Sequence, residues 1–376
     1  MKIAIVCPYD YFSPGGVQTH VRDSACELGR LGHSVTVIAP GVGKCPENIN
    51  NVVFLGKGKK INFNQTTFDI TFINAENINR LRTILDREKF DIIHFHTIWT
   101  PFMSMQILYY SNSINICTFH DTPPDNLAGK ITKIIFHFIS HLIFRHLDAV
   151  IAVSDTPSKH LAKIPDKHIQ ILPPCIDLSR FSPRNQPLYP AKGEQATILF
   201  LGRLDKRKGL FVLLEAYKLL LKDNFNVRLL IGGSGTEQQK LNNYLMSENL
   251  DNVVCLGYVN DDELSGCYAS CDIFCAPALY GESFGIVLVE AMASGKAVVA
   301  ASNPGYKIIL DEKKEFCLAR PGDVHDLYLK LKSLLIDIHL RQELANWGLR
   351  ESVKYDCQTV IPNLVKIYQN ASNLKA

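Results

Sequence analysis

The stretch KIAIVCPYDYFSPGGVQTHVRDSACELGRLGHSVTVIAP, residues 2–40, decides the fold class. Its opening, KIAIVCPY, is a short apolar run of strand type, and HSVTVIAP is another. Between them Val17, Val21, Ala25 and Leu28 recur on one face of a helix. Strand, glycine turn, helix and strand make a βαβ unit, which requires a parallel sheet. Gly15 and Gly16 let backbone come close to a partner, and the helix start offers free N–H groups suited to an anion. The second strand ends without an acidic residue and the turn is not G-x-G-x-x-G, which argues against a nicotinamide dinucleotide.

The same rhythm continues outward. FDIIHFHT, INICTFHD and DAVIAVSD are apolar runs ending in polar residues, as buried parallel strands do. Residues 172–195, LPPCIDLSRFSPRNQPLYPAKGEQ, are rich in proline and lack apolar periodicity, so they read as an interdomain linker. A second series follows, with strands at ATILFLGR, VRLLIGG, NVVCLG, DIFCAP, KAVVAAS and EFCLAR. The sequence thus predicts an α/β protein of two Rossmann-like parallel-sheet domains facing a cleft. The first spans 1–177, with the last helix, about 358–376, packing back on it, and the second spans 178–357. Ligands of such sheets bind beyond the carboxyl ends of the strands.

Composition narrows the function. A chain of 376 residues suits two domains, and a net charge of +3 lacks the basic excess of a nucleic-acid binder. The eleven cysteines are scattered; Cys267, Cys271 and Cys275 stand four apart rather than in C-x2-C pairs and read as small buried hydrophobes. MKIAIVCPYDYFSPGG turns polar too early for a secretory leader, and free thiols fit a reducing cytosol. No run is long enough to span a bilayer. In ITKIIFHFISHLIFRHLDAVIAVS, Lys133, His137, His141 and Arg145 draw one polar stripe on an apolar helix, a packed surface helix that could touch lipid.

Candidate chemistry gathers at strand ends. In FLGRLDKRKGL, Arg203, Lys206, Arg207 and Lys208 crowd one loop, which reads either as a solvated surface or as a phosphate site where arginine grips the oxygens and lysine adds a point charge. The glycines of LLIGGSGTEQQKL, Gly232, Gly233 and Gly235, admit another backbone or a ligand. His94, His96 and His120 end two strands, and a zinc site there would need further ligands. In ALYGESFGIVLVEAMASGKAVVA, residues 278–300, Ser283 is placed to cap a helix from Phe284 that Gly295 ends. Glu282 and Glu290 lie eight positions apart, roughly 12 Å along such a helix at ~1.5 Å per residue. That is about the span of a nucleotide sugar, whose hydroxyls carboxylates can hold. The competing reading pairs a helix carboxylate with a Lys or Arg.

These motifs, GESFGIVLVEAMASGKAVVA with CPYDYFSPGGVQTHV, FHFH, TFHD, IAVSD, FLGRLDKRKG and APALYGESFG, occur in order along nearly the whole chain. They resemble the E-x7-E pattern of retaining family 4 glycosyltransferases of GT-B fold. Among these they are similar to bacterial phosphatidylinositol mannosyltransferases, which use GDP-mannose at the cytoplasmic membrane face. The resemblance implies a donor site of Gly16, Arg203, Arg207, Lys208, Val259, Glu282, Phe284, Gly285, Ile286 and Glu290. Glu282 would hold the sugar, Glu290 the ribose, Arg203 and Lys208 the departing diphosphate, and His120 would stand at the reacting centre. Tyr9, Gln18 and Asn64 would face the acceptor, a lipid or a glycan. The chain has no Asp-x-Asp pair, so transfer without a metal or other cofactor is expected. A UDP-sugar donor with another lipid or polysaccharide acceptor is the alternative, and an epimerase or a non-catalytic sugar-nucleotide binder are further ones. The resemblance implies a cytoplasmic protein, either free or peripheral at the inner membrane face, with GDP-mannose and an inositol phospholipid as its first substrates and no nucleic acid partner.

Overall fold

The computed structural model describes residues 1–13, 15–41, 51–63, 66–98, 102–120, 127–159, 161, 169–191 and 193–375. The chain forms two compact units, Met1–Ile176 with Tyr355–Ala376, and Asp177–Lys354. In the first unit the order is β1 (Lys2–Val6), α1 (Gly16–Arg30), β2 (Ser34–Ala39), β3 (Val52–Phe54), β4 (Lys57–Phe63), β5 (Thr66–Phe72) and α2 (Ala75–Glu88). Then come β6 (Ile92–His96), α3 (Met103–Tyr110), β7 (Ile114–Phe119), α4 (Leu127–Phe144), β8 (Ala149–Ala152), α5 (Asp155–Ser158) and β9 (Ile169–Ile171).

Among the described residues this unit's parallel sheet runs β3-β2-β1-β6-β7-β8-β9. Strand order reverses between β1 and β6, so the loops after these two strands open apart and leave a crevice at their carboxyl ends. The runs IAIV and IIHFH are buried on both faces, which is why they read as continuous rather than alternating. Val21 and Leu28 of α1 are fully buried against one face of the sheet, together with Ile361, Leu364 and Tyr368. Those last three come from the final helix, Cys357–Lys375, which belongs to this unit although the chain reaches it only after the second.

The second unit holds β10 (Ala196–Leu201), α6 (Leu210–Lys222), β11 (Val227–Gly232), α7 (Gln238–Ser247), β12 (Val253–Gly257), α8 (Leu264–Ala269) and β13 (Ile273–Ala276). It continues with α9 (Ile286–Ala293), β14 (Ala297–Ala301), α10 (Pro304–Leu310), α11 (Lys314–Cys317), β15 (Leu318–Ala319), α12 (Val324–Ile336) and α13 (Ile338–Ser352), leaving Cys357–Lys375 as α14. Its parallel sheet runs β12-β11-β10-β13-β14-β15, with the reversal between β10 and β13. Cys267, Cys271 and Cys275 are buried here, and burial pushes the first two thiols up to about 11 and about 12. They are neutral packing groups, as their spacing suggested.

The structure departs from the sequence reading at three places. Lys57–Phe63 and Thr66–Phe72, which the sequence assigned to no element, form an antiparallel hairpin with Lys57 opposite Phe72. Its lysines and asparagines obscure the alternation that marks a strand. The first half of EFCLAR is helix, and only Leu318–Ala319 pairs as an edge strand. The helix after Glu282 starts at Ile286, not Phe284, and its N-cap is Gly285. Gly285 has φ +116, and a Cβ there would stand 2.7 Å from the Tyr306 ring, so the chain turns into the helix through a conformation only glycine takes readily. The rise of ~1.5 Å per residue therefore applies only from Ile286, and the 12 Å separation does not follow.

Candidate active site

In the second unit the loops leaving β10 and β13, the strands that flank the reversal, carry FLGRLDKRKG and APALYGESFG. Asp205 caps the short turn Lys206–Lys208, its Oδ1 accepting from the Lys208 N–H at 3.1 Å. Gly209 closes the turn at φ +70 against the Pro277 carbonyl, where a Cβ would come within 2.1 Å. Leu279 N–H donates to the Arg207 carbonyl at 2.8 Å and ties the two loops together. The glycines of LLIGGSG serve the same loop. A Cβ on Gly233 would lie 1.8 Å from the Gly202 carbonyl oxygen, and one on Gly235 2.4 Å from that of Leu204. What they admit is backbone.

This framework delivers two cations to one carboxylate. Arg207 Nη1 donates to Glu282 Oε1 and to the Gly281 carbonyl, each at 2.8 Å, and Lys208 Nζ donates to the same Oε1 at 2.8 Å. All three side chains are at least four-fifths buried. Burial alone would raise the Glu282 carboxyl, but Lys208 and then Arg207 overcome it and hold the group below the usual carboxylate range. Arg203 is half exposed, and its nearest carboxylate is Asp205 at 3.7 Å. The pair gripping Glu282 is thus Arg207 and Lys208, with Arg203 at the rim. Burial, and then the charge of Glu282, pushes the Tyr306 hydroxyl well above its ordinary range.

Glu290 is buried in α9, and its Oε2 accepts from the Tyr268 hydroxyl at 2.7 Å. A tyrosine of α8 is thus one of the partners that a charge in an apolar helix demands. Phe284 and Gly285 are buried and Ile286 is half-buried beside this helix start. Val259 is half-buried beyond β12, close enough to Gly232 that a Cβ there would meet its side chain at 2.9 Å.

In the first unit the loop after β1 and the ends of β6 and β7 hold the remaining candidates. Gly16 opens α1 and is exposed, Tyr9 is half-buried, and the buried Gln18 donates to the Asp10 carbonyl at 3.4 Å. Asn64 lies outside the described residues. The histidines pack ring against ring. His96 Nδ1 and His120 Nε2 share a hydrogen bond of 2.9 Å, and the His20 ring stands 5.2 Å from His96 and 5.5 Å from His120. His94 is a core residue, bonded to Tyr368 Oη at 2.8 Å and Thr118 Oγ1 at 2.7 Å. One nitrogen from each of His20, His96 and His120 lies within 4.8 Å of the others, a group that could hold a metal ion. Two of the three rings already spend a nitrogen on each other, and a tetrahedral ion would need a fourth ligand.

Burial and the neighbouring His20 depress His94 to about 3. An unfolded histidine takes its proton near pH 6.5, so unfolding binds a proton throughout that interval. Stability is therefore complete above about 6.5 and falls as the pH drops towards 3. Calorimetric midpoints from pH 7 to 4 should fall less steeply in His94→Gln, with about one proton fewer taken up on unfolding. An unchanged slope would remove His94 from this role.

Residues 14–180 match the family described as Glycosyltransferase Family 4, and residues 183–349 match Glycosyl transferases group 1. A phosphatidyl-myo-inositol mannosyltransferase of Mycolicibacterium smegmatis is 32% identical over 378 residues, covering 99% of this chain and 94% of that protein. Among solved structures, sucrose-phosphate synthase from Thermosynechococcus elongatus matches with a TM-score of 0.77 at 18% identity, covering 98% of each chain. Anabaena Alr3699/HepE in complex with UDP and glucose also gives 0.77 at 18% identity, over 98% of this chain and 99% of that one. The fold is GT-B. Two matched domains and a full-length relative at that identity place the chain in the family 4 glycosyltransferases, as an enzyme related to the phosphatidyl-myo-inositol mannosyltransferases.

Proposed function

We propose that the enzyme transfers mannose from GDP-mannose to an inositol phospholipid, with retention of configuration and without a divalent cation. The observation that carries this reading is the buried Glu282 carboxylate clamped by Arg207 and Lys208 at the reversal point of the second sheet. A nucleotide sugar supplies both kinds of partner that such a clamp can exchange for. Its diphosphate takes the cations, and its sugar hydroxyls donate to the carboxylate so released. As the glycosidic bond breaks, negative charge grows on the leaving phosphate, and cations already fixed beside it stabilise that state selectively. Mannose and the inositol lipid are inferred from the relative at 32% identity. Calorimetric titration with GDP and UDP tests the donor: GDP should bind at least tenfold more tightly. Tighter UDP binding would move the reading to a UDP-sugar, the nucleotide held by the Anabaena neighbour. EDTA should leave the rate unchanged.

The lipid acceptor draws support from α4. Ile134, Ile135, Phe138 and Leu142 are exposed along the same side of the helix as His137 and His141, with Arg145 just beyond its end. Ile143 and Phe144 are buried on the opposite side. Exposed apolar side chains in a row with basic groups suit the interface of an anionic membrane, where the enzyme would sit at the inner face. No described helix is long and apolar enough to cross a bilayer. Replacing Ile134 and Phe138 together by serine should weaken sedimentation with phosphatidylinositol vesicles by tenfold or more, since each side chain contributes about 1.5–3 kcal/mol when buried. Equal binding by the variant would remove α4 from the membrane contact.

A further inference from the structure

The unused nitrogen of His96 determines how His120 presents itself. His96 is fully buried at the end of β6, and its Nε2 has no hydrogen-bond partner among the described residues. Its Nδ1 lies 2.9 Å from His120 Nε2. Burial first, and the neighbouring histidines second, hold both rings well below the ordinary histidine range, so both are neutral and each carries one proton. One of the two facing nitrogens must donate and the other accept. If His120 donated from Nε2, the proton of His96 would sit on its Nε2 as a buried N–H with no acceptor, an arrangement proteins almost never tolerate. A bare ring nitrogen in the same place is the lesser cost. The proton of His96 therefore sits on Nδ1 and points at His120, whose own proton is left on Nδ1.

We propose that His96 is a positioning residue that fixes His120 in the Nδ1–H tautomer and so makes Nδ1 the donor His120 offers at the reacting centre. The assignment rests on the reading of His120 as a site residue, while the tautomer itself is independent of that reading. The His20 Nδ1 lies 3.1 Å from the Cys175 backbone nitrogen and 3.4 Å from its carbonyl oxygen, so the main chain holds that ring beside His120.

Selective 15N labelling of the histidine rings reads the tautomer directly. The wild-type protein should show His120 protonated at Nδ1 and bare at Nε2. His96→Ala should convert His120 to a mixture of tautomers and lower kcat by on the order of tenfold to a hundredfold, with the donor KM within about twofold. His96→Asn, whose amide nitrogen can replace the Nδ1–H, should restore both the Nδ1–H signature and most of kcat. A wild-type His120 protonated at Nε2 would overturn the proposal, as would an alanine variant with unchanged tautomer and kcat. Should the alanine variant fail to fold, the wild-type spectrum and the asparagine variant decide. Full transfer by His120→Ala would instead refute the site assignment and leave the tautomer standing.

Discussion

Glu282→Gln should lower kcat for sugar transfer on the order of a thousandfold. The amide keeps the size of the carboxylate but loses its charge. Arg207 and Lys208 then face one another at a side chain that no longer offsets them. Removing one partner of a buried ion pair costs about 3–5 kcal/mol of stability because the remaining charges stay desolvated. Folding is thus part of the effect, and the melting curve must be measured beside the rate. Excess nucleoside diphosphate separates the two contributions. Its phosphates supply the missing anion, so it should return much of the variant's thermal stability, while kcat stays low because the sugar has lost its partner. A variant that transfers sugar at more than a tenth of the wild-type rate would contradict the role given to Glu282.

The second large effect belongs to Lys208. Lys208→Met keeps the aliphatic stem, removes the charge, and should lower kcat by about a hundredfold to a thousandfold. Arg207→Met should cost a similar amount. Its guanidinium also holds the Gly281 carbonyl at 2.8 Å, so the β13 loop should loosen as well and raise the donor KM. Arg203→Met, at a half-exposed side chain, should cost about tenfold at most. Combined with Glu282→Gln, Lys208→Met should add little, because the two groups act as one unit. Strict additivity of the losses, or a larger loss at Arg203 than at Lys208, would show that the clamp does not work as described.

Much of this was legible before any coordinates. The alternation in residues 2–40 gives a βαβ unit, the same rhythm after the proline-rich stretch gives a second sheet, and both are parallel in the structure. Strand-end residues could be recognised because buried parallel strands read as unbroken apolar runs. The rest depends on contacts between positions far apart in sequence. Nothing in IVLVEAMA names Tyr268, 22 residues upstream, as a partner of Glu290. FLGRLDKRKG contains four cations, and only folding distinguishes the two that reach Glu282 from the exposed Arg203 and Lys206. The helix start moved to Ile286 because Gly285 meets Tyr306, a packing constraint invisible to a capping rule that reads Ser283. Likewise the pairing of His96 with His120 joins two adjacent strands in register, with His96 opposite Thr118.

The proposed reaction carries mannose from GDP-mannose to an inositol lipid without a metal and with its configuration kept. Incubating the enzyme with GDP-mannose and phosphatidylinositol vesicles in EDTA, then determining product mass and anomeric configuration, tests it. The expected product is a lipid heavier by one hexose and α-linked. A β-linked product, a requirement for divalent metal, or transfer only from a UDP-sugar would contradict it.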